Sequence, residues 1–304
     1  MKTVDTLVDD IYAAVEEGFE PDFAYVTDFQ EDVAAALLKQ FKPANRKRGN
    51  HLRMSNIGKP DCQLWHEINE TDGEGIDAQT RVKFLFGDLI EALMLYLVKE
   101  AGHKVTHEQA EVEVNGIKGH MDCRIDGVPV DVKSASPFGY KKFKEGTLAH
   151  DDPFGYMAQI SGYAEPEKDE SAGFLAFEKV LGKIAYMRVD RNDMIDVPSR
   201  VDHMKEVVSL EEPPERCFEP VPDGKSGNMK LPTNCSYCAF KKTCWSDAND
   251  GDGLRLFLYS TGPRWLVEVE KLPKVPEKLA DGTVVFIDYS TTEKLDDIKG
   301  IPGT

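Results

Sequence analysis

Apolar residues along this chain change period several times, and each change marks an element. From 80 to 100, Val82, Leu85, Phe86, Leu89, Ile90, Leu93 and Leu97 recur at three- and four-residue spacing, which predicts an amphipathic helix ending near Gly102. From 111 to 134 the period falls to two, and the tight-turn pairs Asn115-Gly116 and Asp126-Gly127 divide the segment into three strands of a β-meander. In the strand from Ile117 to Ile125, alternation sets Ile117, Gly119, Met121, Cys123 and Ile125 on one face and Lys118, His120, Asp122 and Arg124 on the other. In the next strand Val128, Val130 and Val132 share a face, which leaves Asp131 and Lys133 together on the opposite one.

The flanks are more helical. Residues 1–48 read as helix, with Val33, Leu37, Leu38 and Phe41 as an apolar stripe and Arg46-Lys47-Arg48 at the end. A further helix carries Cys62, and Asp152 with Pro153 offers an N-cap and a first-turn proline for a helix over 153–164. Segments 173–180 and 183–190 predict a strand pair that turns at Leu181-Gly182, and a helix follows near 197–210. Residues 213–230, rich in proline, glycine and acid, read as a loop, 246–253 as a linker, and 254–304 as a small, partly extended tail.

With 304 residues the chain can bury one substantial core with appendages: an N-terminal extension over 1–50, a main domain over 51–246 and a C-terminal extension over 247–304. No stretch approaches the run of about 20 apolar residues that spans a bilayer, so no membrane is expected as a partner. The acidic N-terminus has neither the basic nor the apolar region of a signal peptide. The expected location is the cytoplasm, of a prokaryotic or an infected cell. A formal charge of −17 argues against gripping DNA over a broad surface, since neutralising phosphates takes Lys and Arg. Local basic runs remain, at 46–48, at Lys141-Lys142-x-Lys144 and at Lys241-Lys242, and Phe138, Tyr140 and Phe143 interleave aromatics suited to stacking on unpaired bases.

The chemistry concentrates on the meander. Neighbouring strands lie about 4.8 Å apart, so the carboxylates of Asp122 and Asp131 can meet around one divalent cation. Two such acids repel unless a cation or proton lies between them, and Lys133 beside them favours their ionised forms. Oxygen ligands of this kind suit magnesium, which keeps several waters.

Four short motifs occur in order: Gly87-x-x-x-Glu91 on a helix, Gly119-His120-Met121-Asp122 on a strand, Asp131-Val132-Lys133 on the next, and Gln159-x-x-x-Tyr163 on a helix. The set resembles the PD-(D/E)XK nuclease superfamily, specifically the RecB-like exonucleases, over roughly residues 50–246. The resemblance implies an α/β fold, a restriction-endonuclease-like core with a central mixed sheet flanked by helices. It implies that Glu91, Asp122 and Asp131 bind Mg2+ or Mn2+ together with the carbonyl of Val132, and that Lys133 is catalytic. Gln159 and Tyr163, one helical turn apart, correspond to residues that hold the DNA backbone, and His120 lies near enough on the strand to join them. One departure is Glu91, because many iron-sulfur members have histidine there.

Six cysteines in a cytosolic chain of this length favour metal or cluster ligation over disulfides. Cys235-x-x-Cys238 and Cys244 supply three thiolates in one loop, and a fourth must come from elsewhere. Cys62 stands where iron-sulfur RecB-like nucleases, including the CRISPR-adaptation nucleases and the AddB nuclease domain, keep their first ligand, so the resemblance implies a [4Fe-4S] cluster tying the N- and C-terminal segments. Zinc suits four thiolates equally well on chemical grounds. Cys123 reads as a small buried hydrophobe, and Cys217 has no evident role. The activity implied is a single-strand-preferring DNA exonuclease acting on free ends, in company with recombination or replication proteins. Two alternatives stand beside it: a structure-specific endonuclease using the same site, and a DNA-binding assembly subunit with little activity of its own. There is no Walker A sequence, hence no helicase motor.

Overall fold

The period-two segments become strands where both sides of the alternation find cover. In the computed structural model, which describes residues 2–41, 50–70, 73 and 75–286, they are β1 (Val105–Thr106), β2 (Ala110–Val114), β3 (Ile117–Met121), β4 (Cys123–Ile125), β5 (Val128–Ala135), β6 (Ser171–Glu178) and β7 (Lys183–Asp190). The helices among them are α1 (Leu7–Glu17), α2 (Phe23–Phe41), α3 (Asp61–Asn69), α4 (Ala78–Glu100), α5 (Pro137–Glu145), α6 (Tyr156–Ala164) and α7 (Val197–Val208). Contacts divide the chain into two compact units, residues 1–215 and 216–304. The basic run at 46–48 lies outside the described residues.

In the first unit the main sheet has the order β1-β4-β5-β6-β7, and β2 pairs with β3 in a separate hairpin. β5 and β6 are parallel, with Asp131 opposite Phe174, and the other neighbours are antiparallel, so the sheet is mixed. The parallel pair requires a crossover, which α5 and α6 supply. Both glycine turns form as expected: Asn115 and Gly116 have φ of 46° and 78°, Asp126 and Gly127 of 51° and 89°, the doubly left-handed pattern of a tight hairpin.

The sheet buries both faces. On one side Ile117, Met121, Phe143, Ile160, Tyr163 and Phe174 form a core with α5 and α6. On the other, Leu7, Ile90, Met94 and Val98 of α1 and α4 pack on Cys123, Ile125, Val130, Val132 and Leu175. This corrects the alternation expected for Ile117 to Ile125. The strand breaks at Asp122, so Met121 belongs to the first core and Cys123 to the second, and Arg124, expected on a polar face, is 5% exposed and clamps Asp169 at 2.8 and 2.9 Å.

Met54 locks the hairpin to α6. It is fully buried, and its amide donates to the carbonyl of Lys118 at 2.8 Å. A Cβ on Gly119 would stand 2.4 Å from Met54 Cβ, and one on Gly162 would stand 2.1 Å from its sulfur, so β3 and α6 close around Met54 only because both positions are glycine.

Other sequence boundaries shift. The stripe read into α2 is not its buried face: Leu37, Leu38 and Phe41 are exposed while Ala36 and Gln40 are buried. The helix is instead held antiparallel to α4 by polar pairs at its two ends, Lys39 with Asp88 at 2.8 Å and Asp28 with Lys99 at 3.1 Å. Val82 and Phe86 of α4 are likewise exposed. α6 starts at Tyr156, after a left-handed Gly155, and not at Pro153, although Asp152 still accepts from the amide of Met157 at 2.8 Å.

The second unit contains β8 (Val221–Pro222), β9 (Met229–Lys230), α8 (Thr233–Ser236), α9 (Lys241–Cys244), β10 (Arg255–Tyr259), β11 (Gly262–Glu268), β12 (Glu277–Lys278) and β13 (Val284–Val285). Its strands form one sheet in the order β13-β12-β10-β11-β9-β8 over a small core of Leu231, Trp245, Ala248 and Val267. The stretch expected as loop thus supplies two strands, the linker buries Ala248, and the tail is a sheet as far as residue 286. Among the described residues no helix is long and apolar enough to cross a membrane.

Candidate active site

Three carboxylates and one ammonium converge where α4, the break between β3 and β4, and β5 meet. β5 is buried on both faces, so its inward alternation puts Val130 and Val132 against α4 and turns Asp131 to the α6 side, where it is 1% exposed. Lys133, two residues on, brings Nζ to 2.5 Å from Asp131 Oδ2. Asp122 occupies the strand break, and its Oδ2 accepts the amide of Val132 at 2.8 Å, which ties the acid to the same strand. Glu91 is half-buried on α4 and accepts from Gln109 Nε2 at 2.8 Å. Gly87, one turn earlier on that helix face, has open space where a Cβ would stand, so the helix surface beside Glu91 is bare.

The acids resist ionisation together. Burial, then the charge of Asp131, pushes Glu91 up to about 7. Burial, then Asp131 and Glu91, raises Asp122 well above the usual carboxylate range. Burial also raises Asp131, against the pull of Lys133. Burial works against the ammonium of Lys133, but Asp131 and Asp122 outweigh it and keep the group charged. One lysine faces three acids, and among the described residues neither oxygen of Asp131 has a hydrogen-bond partner of normal geometry. Buried oxygens without donors, in a set of repelling carboxylates, are the environment that a hard cation relieves.

Lys133 is further enclosed. Gln159 Oε1 lies 3.4 Å from its Nζ, and Gln159 Nε2 donates to the hydroxyl of Tyr163 at 2.7 Å. The two α6 residues singled out by sequence therefore do reach the lysine as a chain. Tyr163, however, is 2% exposed and packs in the core, so it meets the site through Gln159 and offers no surface to a nucleic acid. His120 is exposed on β3 opposite Glu111 and makes no recorded contact with the acids or the lysine. Sequence reasoning missed Tyr156, whose ring centroid lies 4.4 Å from Lys133 Nζ. Its spacing, three residues before Gln159 on one helix, was the available signal.

The proposed stacking run is mostly core. Tyr140 and Phe143 are 8% and 4% exposed, and only Phe138, 73% exposed with Lys142 Nζ at 5.2 Å, faces outward.

Cys62 is buried near the start of α3. In the second unit Cys235, Cys238 and Cys244 share one turn: the amide of Cys238 donates to the carbonyl of Cys235 at 3.0 Å, and the amide of Phe240 donates to Cys238 Sγ at 3.4 Å. Burial, with Cys238, Cys244 and Cys217 nearby, pushes the Cys235 thiol up to about 12. Several thiolates therefore do not coexist here without a cation, and an amide aimed at a cysteine sulfur is a feature of cluster sites. Cys123 is fully buried, with its thiol 3.8 Å from the carbonyl of Val130.

No protein family and no curated protein matches the sequence. Among solved structures, the crystal structure of SSO0001 aligns with a TM-score of 0.38 at 14% identity, over 69% of this chain and 93% of that one. LHK-Exo, an alkaline exonuclease from Laribacter hongkongensis, aligns with a TM-score of 0.34 at 14% identity, over 59% of this chain and 89% of that one. Its complex with dAMP aligns with a TM-score of 0.33. Similarity at this level carries no weight for function, which rests on the residues of the chain itself.

Proposed function

We propose that the chain is a divalent-metal-dependent deoxyribonuclease, an exonuclease that prefers single-stranded DNA with a free end. The observation that carries this reading is the buried carboxylate of Asp131, without normal hydrogen-bond partners, set among Glu91, Asp122 and Lys133. Glu91, Asp122, Asp131 and the carbonyl of Val132 would hold the ion. Bound there, Mg2+ or Mn2+ neutralises phosphate oxygens and lowers the pKa of water. Lys133 holds a positive charge at Nζ where phosphate charge builds in the transition state, and Gln159 and Tyr163 fix its position. We further propose a [4Fe-4S] cluster held by Cys62, Cys235, Cys238 and Cys244, with zinc as the chemical competitor.

The test is anaerobic purification followed by a visible spectrum, iron and sulfide analysis, and cleavage assays with Mg2+, Mn2+ or chelator. Linear and circular single strands separate exonuclease from endonuclease action. Wild-type protein that cleaves neither with Mg2+ nor with Mn2+ overturns the catalytic reading, and binding without cleavage would make it an assembly subunit.

A further inference from the structure

We propose that Phe154 is a stacking site for an unpaired nucleobase of the strand being cut, set in register with Lys133 by Tyr156; the proposal rests on the nuclease reading above. Three observations carry it. First, Lys133 Nζ lies over the face of Tyr156, 4.4 Å from the ring centroid, so this ring fixes the ammonium from the side opposite the acids' hydrogen-bonding edge. Second, Tyr156 is wedged between inside and outside. Its ring lies 6.3 and 6.4 Å from the buried rings of Phe143 and Phe174, and 5.5 Å from Phe154 at an interplanar angle of 33°. Third, Phe154 ends this series at the surface, 48% exposed.

The backbone explains how residues two apart in sequence come to stack. Gly155 takes a left-handed φ of 75°, which reverses the chain just before α6, and Asp152 anchors the turn through the amide of Met157. An aromatic ring kept half in solvent loses the free energy of full burial, and a base recovers it by covering that face. The spacing selects the occupant. From the ammonium to the surface ring is one step of 4.4 Å and one of 5.5 Å, the reach over which a nucleotide carries its phosphate and its base. A base within a duplex is already stacked on both faces, so the site admits only an unpaired one, in keeping with a single-strand preference.

The experiment uses the full chain in chelator, where nothing is cut, and short single strands carrying one 2-aminopurine, whose fluorescence falls on stacking. Wild-type protein should quench the probe at one position, and Phe154→Ala should lose the quench and bind the strand about tenfold more weakly. Phe154→Trp should restore both, and duplex affinity should not change. With metal present, Tyr156→Leu should lower the single-turnover rate while Tyr156→Phe, which keeps the ring face, should not. The proposal is overturned by wild-type protein that quenches the probe at no position, or by a folded Phe154→Ala that quenches and binds like wild type. Wild type that quenches but never cleaves overturns the nuclease reading and leaves the stacking site standing. Cleavage by wild type with unchanged affinity in Phe154→Ala does the reverse.

Discussion

The ammonium nitrogen of Lys133 stands 2.5 Å from Oδ2 of Asp131, a residue only 1% exposed. A single buried ion pair of this kind is close to neutral for stability, because desolvation offsets the attraction. Here the pair also faces Glu91 and Asp122, both raised by the charge of Asp131. The fold therefore holds an excess of negative charge that only a proton or a cation relieves.

Relieving one acid separates stability from activity. Asp122→Asn keeps an acceptor for the Val132 amide and removes one repelling charge, so the metal-free protein should melt higher, by about 2–4 °C for each kcal/mol regained. Cleavage should fall at least about 100-fold, since loss of a metal ligand removes several kcal/mol of barrier lowering. Lys133→Ala should also abolish cleavage but should lower the melting temperature, because it strands the buried carboxylate of Asp131. Calorimetry of both variants in chelator, beside single-turnover assays, checks the opposite signs. Turnover above about a tenth of wild type in either variant would remove these residues from the catalytic set.

A pH dependence follows from Glu91, whose carboxyl is pushed from 4.5 up to about 7 in the fold. Below 4.5 it is protonated whether the chain is folded or not, and it contributes nothing. Between 4.5 and 7 the folded state binds the extra proton, so stability falls as pH rises through that window and the penalty is complete above 7. The metal-free protein should melt higher at pH 5.5 than at pH 7.5, Glu91→Gln should flatten that part of the difference, and added Mg2+ should flatten it as well. An identical pH response in Glu91→Gln and wild type would contradict the assignment.

Much of this was legible in sequence wherever one local rule decided the outcome. The turns at Asn115-Gly116 and Asp126-Gly127 required left-handed backbone, and the alternation of β5 put Asp131 and Lys133 on one side. The break at Asp122 was not legible, because a strand that leaves one sheet for another keeps its period-two pattern while exchanging cores. The stripe on α2 misled because that helix is held by Lys39 and Asp28 at its ends, so its apolar residues did not have to be its contacts. Tyr156 was missed because a cation over a ring leaves no motif, only a spacing from Gln159.

Gly119 should be intolerant of substitution for a reason separate from chemistry. A methyl at this position would stand 2.4 Å from Met54 Cβ, and Met54 is itself pinned by the Lys118 carbonyl and fully buried. Gly119→Ala should therefore destabilise by about 1–3 kcal/mol, the range for overpacking a filled core. It should also lower metal affinity, since the displaced strand leads directly to Asp122. Met54→Ala in the Gly119→Ala background should recover part of the metal affinity measured by titration calorimetry. If the single variant unfolds in urea like wild type, the close packing around Met54 does not constrain the strand.

The last prediction separates the proposed cluster from the proposed catalytic centre. Cys238 is 8% exposed, and its sulfur accepts the amide of Phe240, so it sits where a ligand would organise the whole turn from Cys235 to Cys244. Glu91, Asp122, Asp131 and Lys133 instead belong to the sheet and helix of residues 1–215, held by their own hydrogen bonds. If the cluster is structural, Cys238→Ser should lose visible absorbance, melt at a lower temperature and bind single-stranded DNA more weakly. At saturating DNA its single-turnover rate should stay within about tenfold of wild type, because about 1.4 kcal/mol corresponds to a factor of ten and no contact of the catalytic acids is removed. The measurement compares melting temperature, DNA affinity and single-turnover rate for the variant and wild type, with iron, sulfide and zinc determined on both. A colourless wild type with stoichiometric zinc would replace the cluster by a zinc site and leave the structural role intact. A variant that melts and binds like wild type yet cleaves far more slowly would refute that role and tie the cysteines to the chemistry itself.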